Sequence, residues 1–123
     1  MGWEKQQMIW LKEDKMATNE TFYKITAIQD IPNNERLFIE INGLPIVIYS
    51  LNGEFYATSD ECSHDKGPIG EGQLDGFEII CPRHGARFDI RNGKVTRLPA
   101  ARNIPSYPVK VIDGYLNIGI PAN

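Results

Sequence analysis

This 123-residue sequence is poor in soft metal ligands, with two cysteines and two histidines in all. So few cysteines exclude the disulfide framework that small secreted domains need, and they point to a reducing compartment. No apolar run approaches the ~20 residues that cross a bilayer as a helix. The stretch MGWEKQQMIWLKEDKM (1–16) offers only MIWL as an apolar cluster, short of a signal-peptide core, and holds no twin arginine. Neither sign of charge dominates. Thirteen lysines and arginines face 16 aspartates and glutamates, a net charge of −3, and the bases are scattered along the chain. That pattern lacks the basic footprint of a nucleic-acid binder. GPIGEG (67–72) is not followed by Gly-Lys-Ser/Thr, so it is no phosphate-binding loop. Apart from the cysteines and histidines, no nucleophile with an adjacent base presents itself, and the chain alone is not expected to convert a substrate. A cytoplasmic protein with no nucleic-acid or membrane partner is the expectation from these absences, and the chain is expected to be a monomer.

What is present is a succession of short β-rich runs. FYKITAI (22–28), RLFIEI (36–41), PIVIYSL (45–51) and EFYATS (54–59) are candidate strands in the first half. FEIICP (77–82), ARFDI (86–90), KVTRL (94–98), YPVKVI (107–112) and YLNIGI (115–120) follow. Asn42-Gly43, Asn52-Gly53, Asp75-Gly76, Asn92-Gly93 and Asp113-Gly114 punctuate them. Such dipeptides tolerate the positive φ angles of type I′ turns, whose twist suits antiparallel hairpins. The expected fold class is therefore all-β and antiparallel, a small sandwich or partly open barrel. Residues 1–20, which hold both tryptophans (Trp3 and Trp10), read as a flexible tail before a domain at 21–123. The stretch 60–76 has no strand pattern, and a loop of that length in a compact domain is usually functional.

All four soft ligands fall in two tight pairs, Cys62-x-His64 and Cys81-x-x-His84, with 16 residues between them. A Cys2His2 zinc finger pairs like with like. Here each pair mixes the two, which suits a two-iron cluster in which each loop sends its cysteine to one iron and its histidine to the other. A single zinc or iron at the same four ligands, or four unrelated neighbours, are the other readings of the residues. Gly67, Gly70 and Gly85 stand beside the pairs and would let backbone amides approach a bound group. Asp60, Glu61 and Asp65 flank the first pair and read as solvated loop charges.

This arrangement resembles the Rieske [2Fe–2S] signature. CSHDKGPIGEG is similar to the family's first cluster loop, CPRHGARFDIRNGKV to its second loop and exit hairpin, and RLPA (97–100) to its proline-bearing third loop. The resemblance covers about residues 21–120. It implies the Rieske fold, an antiparallel β-sandwich or partly open barrel with an inserted cluster-binding subdomain at about 60–100. It implies one Rieske-type [2Fe–2S] cluster as cofactor, held by Cys62, His64, Cys81 and His84. The chain has no room for the second iron domain of oxygenase subunits, and no third cysteine for the disulfide of cytochrome-complex members. The free-standing ferredoxin type remains, a one-electron carrier between a flavin-dependent reductase and a terminal oxygenase. Small Rieske subunits of nitrite-reductase-like enzymes and redox-sensing regulatory subunits are the rival readings. By resemblance the partners dock at the His64/His84 face, with Asp65, Lys66, Pro82 and Arg83 at the rim. High-potential members carry serine and tyrosine hydroxyls where Ala86 and Phe88 stand here, which implies a low reduction potential.

Overall fold

The computed structural model describes residues 20–121, so the expected tail, with Trp3 and Trp10, lies outside the described residues except for Glu20. Eleven strands follow in chain order. β1 (Glu20–Ala27), β2 (Arg36–Ile41), β3 (Leu44–Leu51) and β4 (Glu54–Ser59) come before the site. β5 (Leu74–Asp75), β6 (Glu78–Ile80), β7 (Arg87–Asp89) and β8 (Val95–Arg97) surround it. β9 (Ser106–Tyr107), β10 (Val109–Ile112) and β11 (Tyr115–Pro121) return to the base. They form three antiparallel sheets, ordered β1-β11-β10, β2-β3-β4-β9 and β5-β6-β7-β8. Among the described residues the only helical element is a 3₁₀ turn at Ile28–Asp30. The all-β, antiparallel expectation is met.

Several strand ends shift by one or two residues from the sequence reading, Glu20 of the expected tail already pairing with Pro121 in β1, and two larger differences change the course of the chain. The run 107–112 is not one strand: Tyr107 pairs with Ala57 of β4, whereas Val109 pairs with Ile118 of β11. Pro108 stands between them, and a residue without an N–H cannot continue a ladder. The chain therefore changes sheets there. The loop that begins after β4 also ends earlier than expected, because Leu74–Asp75 pairs with β6.

The turns divide in the same informative way. Asn42-Gly43, Asn52-Gly53 and Asp113-Gly114 have positive φ at both residues, as type I′ requires. At Asp75-Gly76 only the glycine has positive φ, because Asp75 is still in the ladder opposite Glu78 and the two-residue loop is Gly76-Phe77. At Asn92-Gly93 again only the glycine does, and both N–H groups point back to the Asp89 carbonyl in a longer turn.

β3 explains how the layers are held. Its run of buried residues alternates between two cores. Ile46 and Ile48 join Ile41, Ala57, Leu116 and Ile118 on the base side, while Val47 and Tyr49 join Cys62, Ile79, Cys81 and Phe88 on the other. A strand buried on both faces reads as a continuous apolar run, which is how PIVIYSL reads. The Tyr49 hydroxyl, deep in the second core, pairs with Thr58 Oγ1 at 3.2 Å. Burial pushes its pKa up to about 12. The two cysteines thus rest on the same strand whose other face builds the base.

Candidate metal centre

Two loops at one end of the molecule hold the expected ligands. The first runs from Cys62 to Gly67, and two backbone bonds close it: Cys62 N–H donates to the Gly67 carbonyl and Lys66 N–H to the Cys62 carbonyl, at 2.8 and 2.7 Å. The second runs from Cys81 to Ala86 and repeats the pattern, with Cys81 N–H on the Ala86 carbonyl and Gly85 N–H on the Cys81 carbonyl, at 2.7 and 3.0 Å. In both, the residue four places after the cysteine is left-handed, Lys66 at φ 64° and Gly85 at φ 79°. Both turns lift the intervening residues away from the core, so that each cysteine points inward and its histidine stays outside.

The result is a two-layered donor set. Cys62 and Cys81 are 0% and 1% exposed, enclosed by Ile69, Ala86, Phe88, Ala100 and Ile104. Their sulfurs and an Asp65 oxygen all lie within 4.8 Å of one another. His64 and His84 are exposed. Their rings stand edge to face, 5.1 Å apart at 80°, and a nitrogen of each lies with Asp65 in a second group of the same span. The structure therefore brings all four sequence-predicted residues together. Burial pushes the Cys62 thiol up, opposed by the His64 N–H that donates to its sulfur, and the neighbouring Cys81 raises it further. A buried Cys62 sulfur that disfavours its own negative charge is suited to a cationic iron centre. Two sulfurs inside and two imidazoles outside fit a two-iron group in their number, their chemistry and their division into sides.

The carboxylates need correction. Asp65 and Asp60 are not free loop charges. Arg83 donates to both Asp65 oxygens, from Nε at 2.7 Å and Nη2 at 2.9 Å, and its Nη1 reaches the Pro68 carbonyl at 2.6 Å. One guanidinium thus clasps the second loop to the first. It holds the Asp65 carboxyl well below the usual carboxylate range, helped by the Gly67 N–H. Asp60 accepts from the Ile69 and Gly70 N–H groups at 3.1 and 2.6 Å. Glu61 alone of the three remains an exposed charge without a side-chain partner among the described residues.

The glycines beside the ligands serve these braces. A Cβ on Gly67 would lie 2.6 Å from the Arg83 guanidinium carbon, and one on Gly70 would lie 2.5 Å from the Phe38 ring and 3.0 Å from Asp60 Oδ1. Arg36, absent from the sequence reading, bonds from β2 to the carbonyls of Gly70 and Gly72. Its partners lie 34 and 36 positions away, and no local pattern announces such a contact. The third loop covers the sulfurs through buried Ala100 and is tied to the first by Ser63 Oγ, which donates to the Arg102 carbonyl. Leu98 on it is 74% exposed. Ala86 and Phe88 are fully buried against the cysteines and bring no hydroxyl.

With this geometry in view, the likeness to known proteins is consistent throughout. The Rieske [2Fe–2S] domain family matches residues 21–108, a stretch that contains both cysteine loops. The ferredoxin component of the naphthalene 1,2-dioxygenase/salicylate 5-hydroxylase systems of Ralstonia sp is 39% identical over 85 residues, 69% of this chain and 82% of that protein. The ferredoxin component of the p-cumate 2,3-dioxygenase system of Pseudomonas putida is 38% identical over 101 residues, 80% of this chain and 86% of its own length. In the solved complex of reduced oxygenase and oxidized ferredoxin of carbazole 1,9a-dioxygenase, a chain superposes with a TM-score of 0.76 at 28% identity, over 83% of this chain and 95% of that one. Sequence, fold and the arrangement of the paired loops agree, and this chain belongs to the Rieske [2Fe–2S] domain family.

Proposed function

We propose that the chain is the ferredoxin of a ring-hydroxylating dioxygenase system, a carrier that passes single electrons from a flavin-dependent reductase to a terminal oxygenase. Cys62, His64, Cys81 and His84 hold its one [2Fe–2S] cluster, and partners dock on the His64/His84 face. The observation that carries this reading is the layered donor set, two buried sulfurs beneath two exposed imidazoles. When bound, the cluster supplies reversible uptake of one electron at a potential that histidine ligation raises over that of an all-cysteine site. The chain's own residues do the rest. The apolar wall of Ile69, Phe88, Ala100 and Ile104 keeps water from the sulfurs. His64 and His84 bring a conducting edge to the surface, where a partner can approach without entering the fold. The Asp65–Arg83 clasp fixes the distance between the two loops, so little rearrangement accompanies a change of charge.

The names of the relatives support the partner classes. A division of 21–123 into a base and a cluster-binding subdomain at about 60–100 accords with the sheet β5-β6-β7-β8, which is joined to the base mainly through the core under β3. No helix among the described residues is long and apolar enough to cross a membrane. Free buried thiols in the absence of a disulfide suit a reducing compartment such as the cytoplasm. Protein purified without air should show the visible absorption of a [2Fe–2S] group, an electron-paramagnetic signal on one-electron reduction, and rapid reoxidation by a terminal oxygenase. A colourless protein that holds one zinc would sink the proposal.

A further inference from the structure

Charge is distributed unevenly over the molecule. The two cysteine loops and the third loop, which is tied to the first by the Ser63–Arg102 bond, take in segments 61–66, 82–85 and 96–103. They carry Lys66, Arg83, Arg97 and Arg102 against Glu61 and Asp65, an excess of two positive charges. The remaining described residues carry six basic and eleven acidic side chains, an excess of five negative ones. A chain with a net charge of −3 therefore presents a positive end, and that end is the one bearing His64 and His84.

The pairing of the arginines sharpens this contrast. Arg83, Arg87 and Arg91 each hold a carboxylate at 2.7–2.8 Å. No carboxylate among the described residues pairs with Lys66, Arg97 or Arg102, and all three are exposed. Lys66 and Arg102 also share a cleft of about 300 Å³, with Ser63, Asn103 and Glu61 beside them and Cys62 beneath. Two unpaired cations converge there on a single acid. Arg97 lies at the end of β8, opposite Arg87, where the chain enters the third loop.

We propose that this face docks on a carboxylate-rich surface of the protein redox partner, with a carboxylate of that partner entering the cleft between Lys66 and Arg102. The inference rests on the reading of the chain as an electron carrier. Its physical content is steering, since opposite potentials around a small docking patch raise the encounter rate and orient the approach. Cys62 and Ser63 of the first cysteine loop line the cleft, so an orientation that satisfies the charges brings the partner to the loop that carries His64.

The test uses the reduced holoprotein and ferricyanide, a trianion that accepts one electron to become ferrocyanide while the chain returns to its oxidised form. The whole-chain charge predicts repulsion, whereas the positive end predicts attraction, and the two give opposite salt dependences. The second-order rate constant should fall roughly tenfold as ionic strength rises from about 0.01 to about 0.3 M. With hexaammineruthenium(III), a cation, it should rise. Poly-L-glutamate at low salt should slow the ferricyanide reaction by covering the face, and poly-L-lysine should not. Arg97→Glu with Arg102→Glu lies outside both cysteine loops and turns the excess from two positive to two negative; it should reverse the ferricyanide trend and abolish the poly-L-glutamate effect, with cluster absorption and potential unchanged. Lys66→Asn with Arg102→Glu, made for the cleft itself, should do the same. A wild-type ferricyanide rate that rises with salt, or one indifferent to poly-L-glutamate, overturns the inference. A holoprotein that cannot be reduced by one electron at all would instead overturn the electron-carrier reading, so the two failures are distinguishable.

Discussion

The loops Cys62–Gly67 and Cys81–Ala86 are the same backbone turn built from different sequences. Each is closed by the same pair of bonds and each places its fourth residue after the cysteine in the left-handed region. The second uses glycine there, as sterics prefer, while the first uses Lys66. The histidine comes two places after the cysteine in the first loop and three in the second. The turn thus sets where each side chain points, and the one-place offset brings the two rings to a 5.1 Å edge-to-face contact. What differs most is the support. The second loop passes directly into β7, whereas the first continues through an irregular stretch that Asp60, Arg36 and Arg83 pin from three sides.

The largest effect should come from removing a ligand from either loop. His64→Ala and Cys81→Ala each leave one iron a ligand short, and both should lose the [2Fe–2S] absorption entirely. The loops should then lose protection in hydrogen exchange, since metal binding and folding are coupled in such a site. Native visible spectra in either variant would refute the ligand assignment. Next in size is the clasp. Asp65→Asn removes the charge that Arg83 holds, and the pinned first loop should suffer more than the self-supporting second. We expect cluster loss in chelator to accelerate several-fold, with hydrogen-exchange protection falling at Gly67 and Lys66 before Gly85 and Ala86. Equal loss in both loops would mean that the clasp is not what distinguishes them.

The clasp also shows where reading the sequence stops. The juxtaposed cysteine and histidine pairs and the all-β fold are legible because they depend on local signals: two short spacings, alternating apolar runs and Asn-Gly or Asp-Gly turns. Asp60, Asp65 and Arg36 are not, since each acts through backbone groups or a guanidinium from another segment. An aspartate in a glycine-rich loop looks the same in sequence whether it is solvated or binds two N–H groups. The sheet change at Pro108 is intermediate. The proline is plain in YPVKVI, but its effect depends on which neighbours wait on each side.

The buried wall of the second loop supplies a third test. Ala86 and Phe88 lie against the sulfurs with no hydroxyl to offer. A hydrogen bond to a charged acceptor contributes about 1.5–3 kcal/mol, and only its strengthening on reduction moves the potential. At roughly 59 mV per 1.4 kcal/mol for one electron, Ala86→Ser with Phe88→Tyr should raise the potential by several tens of millivolts per hydroxyl. The starting value should lie near the low end of the Rieske range, about −150 mV. Voltammetry that finds the wild type above about +100 mV would show that the missing hydroxyls do not set the potential.

The smallest expected effect tests the comparison at its root. If the two loops are one turn, the left-handed position should prefer glycine in both, whatever residue it holds now. Gly85→Ala puts a Cβ where nothing lies within 4 Å, so its cost is conformational alone. The left-handed strain costs about 1–2 kcal/mol, of which the stiffer unfolded chain returns roughly 0.5–1, leaving a net loss of about 0.5 kcal/mol. Lys66→Gly runs the other way. It relieves a similar strain in the folded state but gives the unfolded chain more freedom, which takes back roughly 0.5–1 kcal/mol. The net gain should therefore be about 0.5 kcal/mol, similar in size to the loss at Gly85 and opposite in sign. Denaturant midpoints of the holoprotein, with the cluster absorption as probe, measure both. Should Lys66→Gly destabilise the first loop, the lysine side chain must be holding that turn through contacts of its own, and the likeness of the two loops would extend no further than their backbone bonds.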